Sequence, residues 1–232
     1  MVNLSEIPGS ISLTSDSWTS ISSDSYLSLT GHFIDEAWSL KSLVLDIDKL
    51  NYPHSGENLA ERISDILEEY EISDNVKTLT TDGGSNMMKI CDKLNNRALI
   101  IIQIPCAAHQ INLAVKSGLE NLDEKRGGTI SKLRKIIEKI KRSPKILEEF
   151  KEVVNKTNDP NLKLILEVST RWNSTFEMLD RALSLKSSIN SFLLSTKSKV
   201  MKNFEISYCE WNPIEELIII LKPFNTGTKA LC

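Results

Sequence analysis

Nothing in this 232-residue chain approaches the roughly 18 consecutive apolar residues that a membrane-spanning helix needs. Its longest apolar runs, residues 98–102 and 217–221, have the length of core segments. Cysteine is scarce. The four residues at positions 91, 106, 209 and 232 form no paired spacing, which excludes a disulfide framework and suits a reducing, intracellular setting. Histidine is scarcer still: only His32, His54 and His109 are present, and no zinc-finger spacing occurs. Residues 1–9 show no basic stretch followed by an apolar run, so no secretory signal is expected there. No internal repeat is found.

The remaining composition is that of an ordinary globular protein, 41% hydrophobic and 25% charged. Its length suits one large domain or one and a half. The net charge of −3 hides an asymmetry. Residues 1–124 hold 8 Lys and Arg against 19 Asp and Glu, a net −11, whereas residues 125–202 hold 18 against 8, a net +10. A basic segment beside an acidic one points to a polyanionic partner, or to lysine-rich helices solvated on their outer faces.

Two stretches share one character. In TLTTDGGSNM (78–87), an alternating segment reaches Asp82, then Gly83 and Gly84 turn the chain before a helical start. In ISLTSDSWTS (11–20), Ser12, Thr14 and Asp16 share one face of a strand. A carboxylate at the carboxyl tip of a strand sits where α/β sheets place their chemistry. It is equally a good turn former or helix cap. Two such strands can bring Asp16 and Asp82 together around a shared Mg²⁺ or Mn²⁺, an arrangement suited to phosphoryl transfer that normally needs a third carboxylate.

In chain order, strands are predicted over 11–18, 25–34 and 37–48, joined by short polar links as in a meander. A loop over 51–56 precedes a helix carrying Leu59, Ile63, Ile66, Leu67 and Tyr70. The strand ending at Asp82, a helix over 85–94, a strand over 98–105 and a helix opening at Cys106 follow. The order βββαβαβα joins three meandering strands to crossover units that add parallel strands. Beyond Gly127-Gly128 the pattern is helical. A basic amphipathic helix carries Ile130 to Ile140, and a second begins at Ser143-Pro144 with Ser as its cap. A third runs from Arg171 towards Leu194, a basic linker covers 195–203, and a last helix spans 211–222, stopped by Pro223. The predicted domains are an α/β part, 1–124, and an α-helical part, 125–232.

Two further groups stand out. Cys106 and His109 supply half of a zinc ligand set with no partner pair in sight, so no zinc site is identified. His109 at a helix start can contact a phosphate or serve a structural role. In STRWNST (169–175), Arg171 suits a phosphate and Trp172 offers a stacking face. Trp172 also begins the apolar stripe of Phe176, Leu179 and Leu183, and its spacing favours core packing.

Taken together, TSDSWTS (14–20), TTDGGSNM (80–87), PCAAHQINLAV (105–115), STRWNST (169–175) and LKPFNTGTKAL (221–231) resemble the hAT family of DNA transposases. The similarity is strongest to members linked to BED zinc fingers, including domesticated host proteins. The resemblance implies an RNase H-like mixed sheet followed by an all-α insertion region. It implies that Asp16 and Asp82 are the first two members of a metal-binding Asp-Asp-Glu triad using Mg²⁺ or Mn²⁺. Cys106 and His109 match the family's C-x-x-H motif beside that site. Arg171 and Trp172 match the pair that holds and stacks a flipped base in DNA-transposing relatives. The implied chemistry is phosphodiester cleavage and strand transfer on transposon DNA in the nucleus.

The sequence departs from the family pattern. The family's catalytic Glu follows the insertion, in a region that also supports oligomerisation, and no matching motif follows the LKPF stretch here. No BED finger motif is found, and Gly83-Gly84 stands where Asn-Ala is usual. The expectation is a transposase-derived nucleic-acid-binding protein that does not transpose DNA alone. The alternatives are an endonuclease piece completed by another chain or a longer product, and an interaction scaffold with no DNA role.

Overall fold

The computed structural model describes residues 4, 7, 9–50, 55–96, 100–125, 127–168, 171–201 and 203–231. The loop expected over 51–56 therefore lies largely outside the described residues, as do Ser169 and Thr170 of the STRWNST motif. The chain divides into two compact units, Met1–Gln110 and Ile111–Cys232.

The first unit is built on a five-stranded sheet in the order β3-β2-β1-β4-β5. β1 (Ile11–Thr19), β2 (Ser25–Ile34) and β3 (Leu40–Leu50) form the antiparallel meander. β4 (Val76–Thr81) joins β1 in parallel, and β5 (Ile102–Pro105) joins β4 in parallel at the edge. Alternation places Ile11 and Leu13 of β1, and Leu27, Leu29 and Phe33 of β2, on the buried face. Against them pack Leu59, Ile63, Ile66 and Leu67 of α1 (Gly56–Glu69) and Ile90 and Leu94 of α2 (Ile90–Asn95). Ser55 caps α1, accepting the Asn58 N–H at 3.2 Å. This mixed sheet and the helices after it make an RNase H-like α/β fold.

Two local predictions are corrected. β3 begins at Leu40, not residue 37, because Asp35 accepts the N–H groups of Ala37 (3.0 Å) and Ser39 (2.9 Å) and closes a turn. Trp38 sits in that turn at φ +59 and is exposed, not in a strand. The helix expected from residue 85 begins as a single 3₁₀ turn, Met87–Lys89, and becomes α-helical only in α2.

The second unit holds most of α3 (Ala107–Lys125) and all of α4 (Thr129–Arg142), α5 (Pro144–Val154), α6 (Trp172–Ser184), α7 (Lys186–Ser195) and α8 (Tyr208–Leu231). The division falls inside α3 rather than after residue 124, because Val115 and Leu119 pack into the helical core. Leu133, Ile136, Ile137 and Ile140 form the buried stripe of α4. Ser143 caps α5 as the sequence suggests, accepting the Ile146 N–H at 3.4 Å. The single helix expected from Arg171 to Leu194 is two helices, broken at Leu185 (φ −112°, ψ 22°). The last helix does not stop at Pro223 but runs to Leu231 with Pro213 and Pro223 inside it.

Candidate nucleic-acid and metal site

The register of the two central parallel strands builds the site. Thr14 of β1 lies opposite Thr80 of β4. Asp16 stands two residues further along β1, and Asp82 stands two residues beyond Thr80, one step past the end of β4. Both carboxylates thus lie at the carboxyl ends of neighbouring strands, where open α/β sheets receive ligands. Asp16 is exposed on the face opposite the helix-packed core, and among the described residues it has no hydrogen-bond or ion-pair partner. Asp82 is half-buried, and its Oδ1 accepts the Gly84 N–H at 3.0 Å. That bond tightens the turn and leaves Oδ2 for a ligand.

The turn after Asp82 is enclosed on several sides. A Cβ on Gly83 would lie 3.1 Å from His109 Nε2, and one on Gly84 would lie 3.0 Å from Asp82 Oδ1. The two glycines let the turn close against the imidazole and against its own carboxylate. The Cys106 backbone N–H donates to Thr81 O at 2.8 Å, splicing the start of α3 onto the end of β4. His109 is thereby brought beside the turn that carries Asp82. Gln103 of β5 donates from Nε2 to Thr81 Oγ1 (2.8 Å) and to the Met87 carbonyl (3.0 Å). The Thr81 hydroxyl in turn donates to the Asp82 carbonyl at 3.2 Å. One amide group therefore clasps both ends of the Asp82 turn.

Among the described residues, no three His, Cys, Asp or Glu side chains gather as a ready metal cage. Two carboxylates nevertheless fit a hard cation such as Mg²⁺, which is often held by one or two protein carboxylates and keeps several waters.

Arg171 and Trp172 belong to the second unit. Arg171 precedes α6 and is exposed, and it forms no ion pair with a described residue. Its carbonyl accepts from Ser174 N (3.1 Å) and Ser174 Oγ (2.6 Å), which shapes the loop into the helix. Trp172 is 1% exposed among the core side chains, and its backbone N–H donates to Asn112 Oδ1 at 3.1 Å. Its indole N–H has no hydrogen-bond partner among the described residues. The ring occupies the packing position that its spacing indicates and offers no face to a base.

Two residues here escaped sequence reasoning. Gln103 pairs across 22 positions with Thr81, and no local pattern announces that. Trp18 carried a usable signal, since it stands two residues after Asp16 and so shares its face. It is 41% exposed and stacks on Tyr26 with centroids 5.6 Å apart and rings 18° from parallel. It lines a groove of about 320 Å³ together with Ser25, Asp82, Gly84, Ser85 and Asn86.

Family comparison agrees with this architecture. Residues 14–119 match the ZBED1 RNase-like domain, and residues 104–219 match the ZBED1 RNase-like helical domain, half of the chain. The chain belongs to the hAT family of transposase-like proteins. It is 30% identical to Zinc finger BED domain-containing protein RICESLEEPER 2 of Oryza sativa subsp. japonica, over 96% of this chain and 31% of that protein. It is 28% identical to Putative AC transposase of Zea mays, over 98% of this chain and 29% of that protein. It is 29% identical to Putative transcriptional regulator tpeD of Talaromyces stipitatus, over 95% of this chain and 29% of that protein. The chain thus spans less than a third of the length of each of these relatives, and it is transposase-derived.

Proposed function

We propose that this hAT segment binds DNA in the nucleus and holds two of the three carboxylates of a transposase metal site. The observation that carries this reading is the parallel register of β1 and β4, which brings Asp16 and Asp82 to adjacent strand ends. A bound Mg²⁺ or Mn²⁺ would polarise a phosphodiester and help ionise an attacking hydroxyl. The chain's own contribution is to hold that cation with Asp16 and Asp82 and to present His109 beside it. Arg171 supplies an exposed guanidinium for a phosphate, and the buried Trp172 fixes the helix start that presents it.

On this reading two carboxylates hold the cation less firmly than three would, and the expected outcome is DNA binding without efficient cutting by this chain alone. The reading in which another chain or a longer product completes the site rests on the same two strand ends. A hairpin-ended DNA duplex incubated with the chain and Mn²⁺ tests both. Mn²⁺ binding, followed by titration, should be lost in Asp82→Ala. Nicking that is absent in wild type supports the two-carboxylate reading, and nicking that disappears in Asp82→Ala supports the completed one. If wild type and Asp82→Ala bind Mn²⁺ alike, the two aspartates are turn and cap residues and the proposal fails.

A further inference from the structure

We infer that Trp18 is a stacking platform for an unpaired nucleotide held at the Asp82 end of the sheet. The inference rests on the nucleic-acid reading above and assigns it a base-binding subsite in the first unit. Trp172, which matches the family's stacking residue although its spacing favours the core, is 1% exposed and has no free face. Trp18 is the contrasting case. Tyr26 backs one face of its indole at 5.6 Å and 18°, which holds the ring rigid, and 41% of the residue remains open to solvent.

Its position is what makes the exposed ring informative. Trp18 follows Asp16 by two residues on the same strand, so both side chains leave the same face of the sheet. It lines a groove whose other wall is the Asp82 turn, with Gly84, Ser85 and Asn86. That wall supplies hydroxyl and amide groups suited to sugar and phosphate oxygens. A phosphate held by a cation on Asp16 and Asp82 would therefore carry its neighbouring base towards the indole. Base stacking on an aromatic face is tolerant of sequence and needs the base to be unpaired, so single-stranded or flayed DNA ends are the ligand class. A groove of about 320 Å³ suits a single nucleotide, not a duplex, which needs an open surface.

The test uses the full chain and single-stranded oligonucleotides carrying 2-aminopurine, whose fluorescence is quenched on stacking. Wild type should quench the probe. Trp18→Leu, which keeps an apolar side chain but no π-face, should lose the quench and weaken binding about five- to one-hundred-fold. Trp18→Phe should retain most of both. Unchanged quenching in a folded Trp18→Leu protein overturns the inference and leaves the nucleic-acid reading standing. Absence of any salt-sensitive oligonucleotide binding by wild type overturns both. If Trp18→Leu does not fold, photo-crosslinking of wild type to a 5-iodouracil oligonucleotide decides: adducts on the Trp18 peptide support the subsite, and adducts only elsewhere overturn it.

Discussion

At the residue scale, Asp82 uses one carboxylate oxygen to close its own turn, Oδ1 accepting the Gly84 N–H. That bond accounts for the turn-forming reading, and the cation proposed above would draw on Oδ2. Asp16 does nothing comparable for the fold, which fits a role outside it. Trp172 shows the opposite allocation. Its ring is buried and its indole N–H finds no partner among the described residues, a modest cost accepted for packing area. Trp172→Ala should lower stability by about 3–5 kcal/mol in urea unfolding, because it leaves a large cavity. Trp172→Phe should cost far less, since it also removes the unpaired donor. A Trp172→Ala protein as stable as wild type would show that the ring does not pack as described. Spacing alone foretold the burial of Trp172, because helix periodicity reads packing directly. It could not foretell that Trp18 and Trp38 remain open, since exposure depends on what the rest of the fold covers.

At the scale of elements, the turn after β4 is held less by its own sequence than by Gln103 on the next strand. Gln103→Leu should speed amide hydrogen exchange of Gly84 and Met88 by about tenfold, the loss of roughly one net hydrogen bond. It should leave the exchange of α4 and α6 unchanged. Equal exchange in both proteins would remove Gln103 from the positioning of Asp82. α8 gives a different lesson. A helix interior proline costs about 3 kcal/mol, which is why the sequence predicts a stop at Pro223. The buried stripe of Trp211, Ile214, Leu217, Ile218 and Leu221 holds the helix up to that point. Beyond Pro223 the continuation is tied to α6 by polar contacts, Asn173 donating to Asn225 Oδ1 at 3.0 Å and Lys229 lying 3.9 Å from Glu177.

The start of α8 also titrates. Burial alone would raise the Glu210 pKa, but the Lys132 ammonium at 2.8 Å and the Ser207 N–H and hydroxyl outweigh it and hold the carboxyl below its usual value. The unfolded chain then binds this proton more readily than the folded one. The stabilisation is complete above the ordinary carboxyl pKa of about 4.3 and is lost as pH falls through the lower, folded value. Thermal unfolding between about pH 5 and pH 3 should therefore show a steeper loss of Tm for wild type than for Glu210→Gln. Parallel curves would mean the Lys132–Glu210 pair is not formed.

At the scale of the whole molecule, the sheet and the helical bundle each have their own core. The order of strands was legible because alternation, short polar links and crossover lengths each constrain it. The junction was not, because α3 is continuous and only long-range packing divides it. The basic excess of residues 125–202 was legible as a total but not as a surface. Lys132, Arg134, Arg142, Lys151 and Lys186 turn out to be paired with Glu210, Glu167, Glu138, Glu148 and Glu215. Fewer phosphates should therefore be engaged than the charge count suggests. Log–log plots of DNA affinity against salt should give a slope below that expected if all 18 basic residues of 125–202 met phosphates. A slope matching all 18 would mean these pairs open on binding.

The hairpin that joins β2 to β3, residues 35–39, lies at the opposite end of the meander from Asp16. Ser12, at the start of β1, pairs with His32, whereas Thr19 at its far end pairs with Ser25. Because the aspartates are aligned by β1 against β4, extra residues at that hairpin tip would lengthen a remote loop without shifting either carboxylate. The tip is thus a tolerant place to splice in a reporter or a second module without disturbing either strand end.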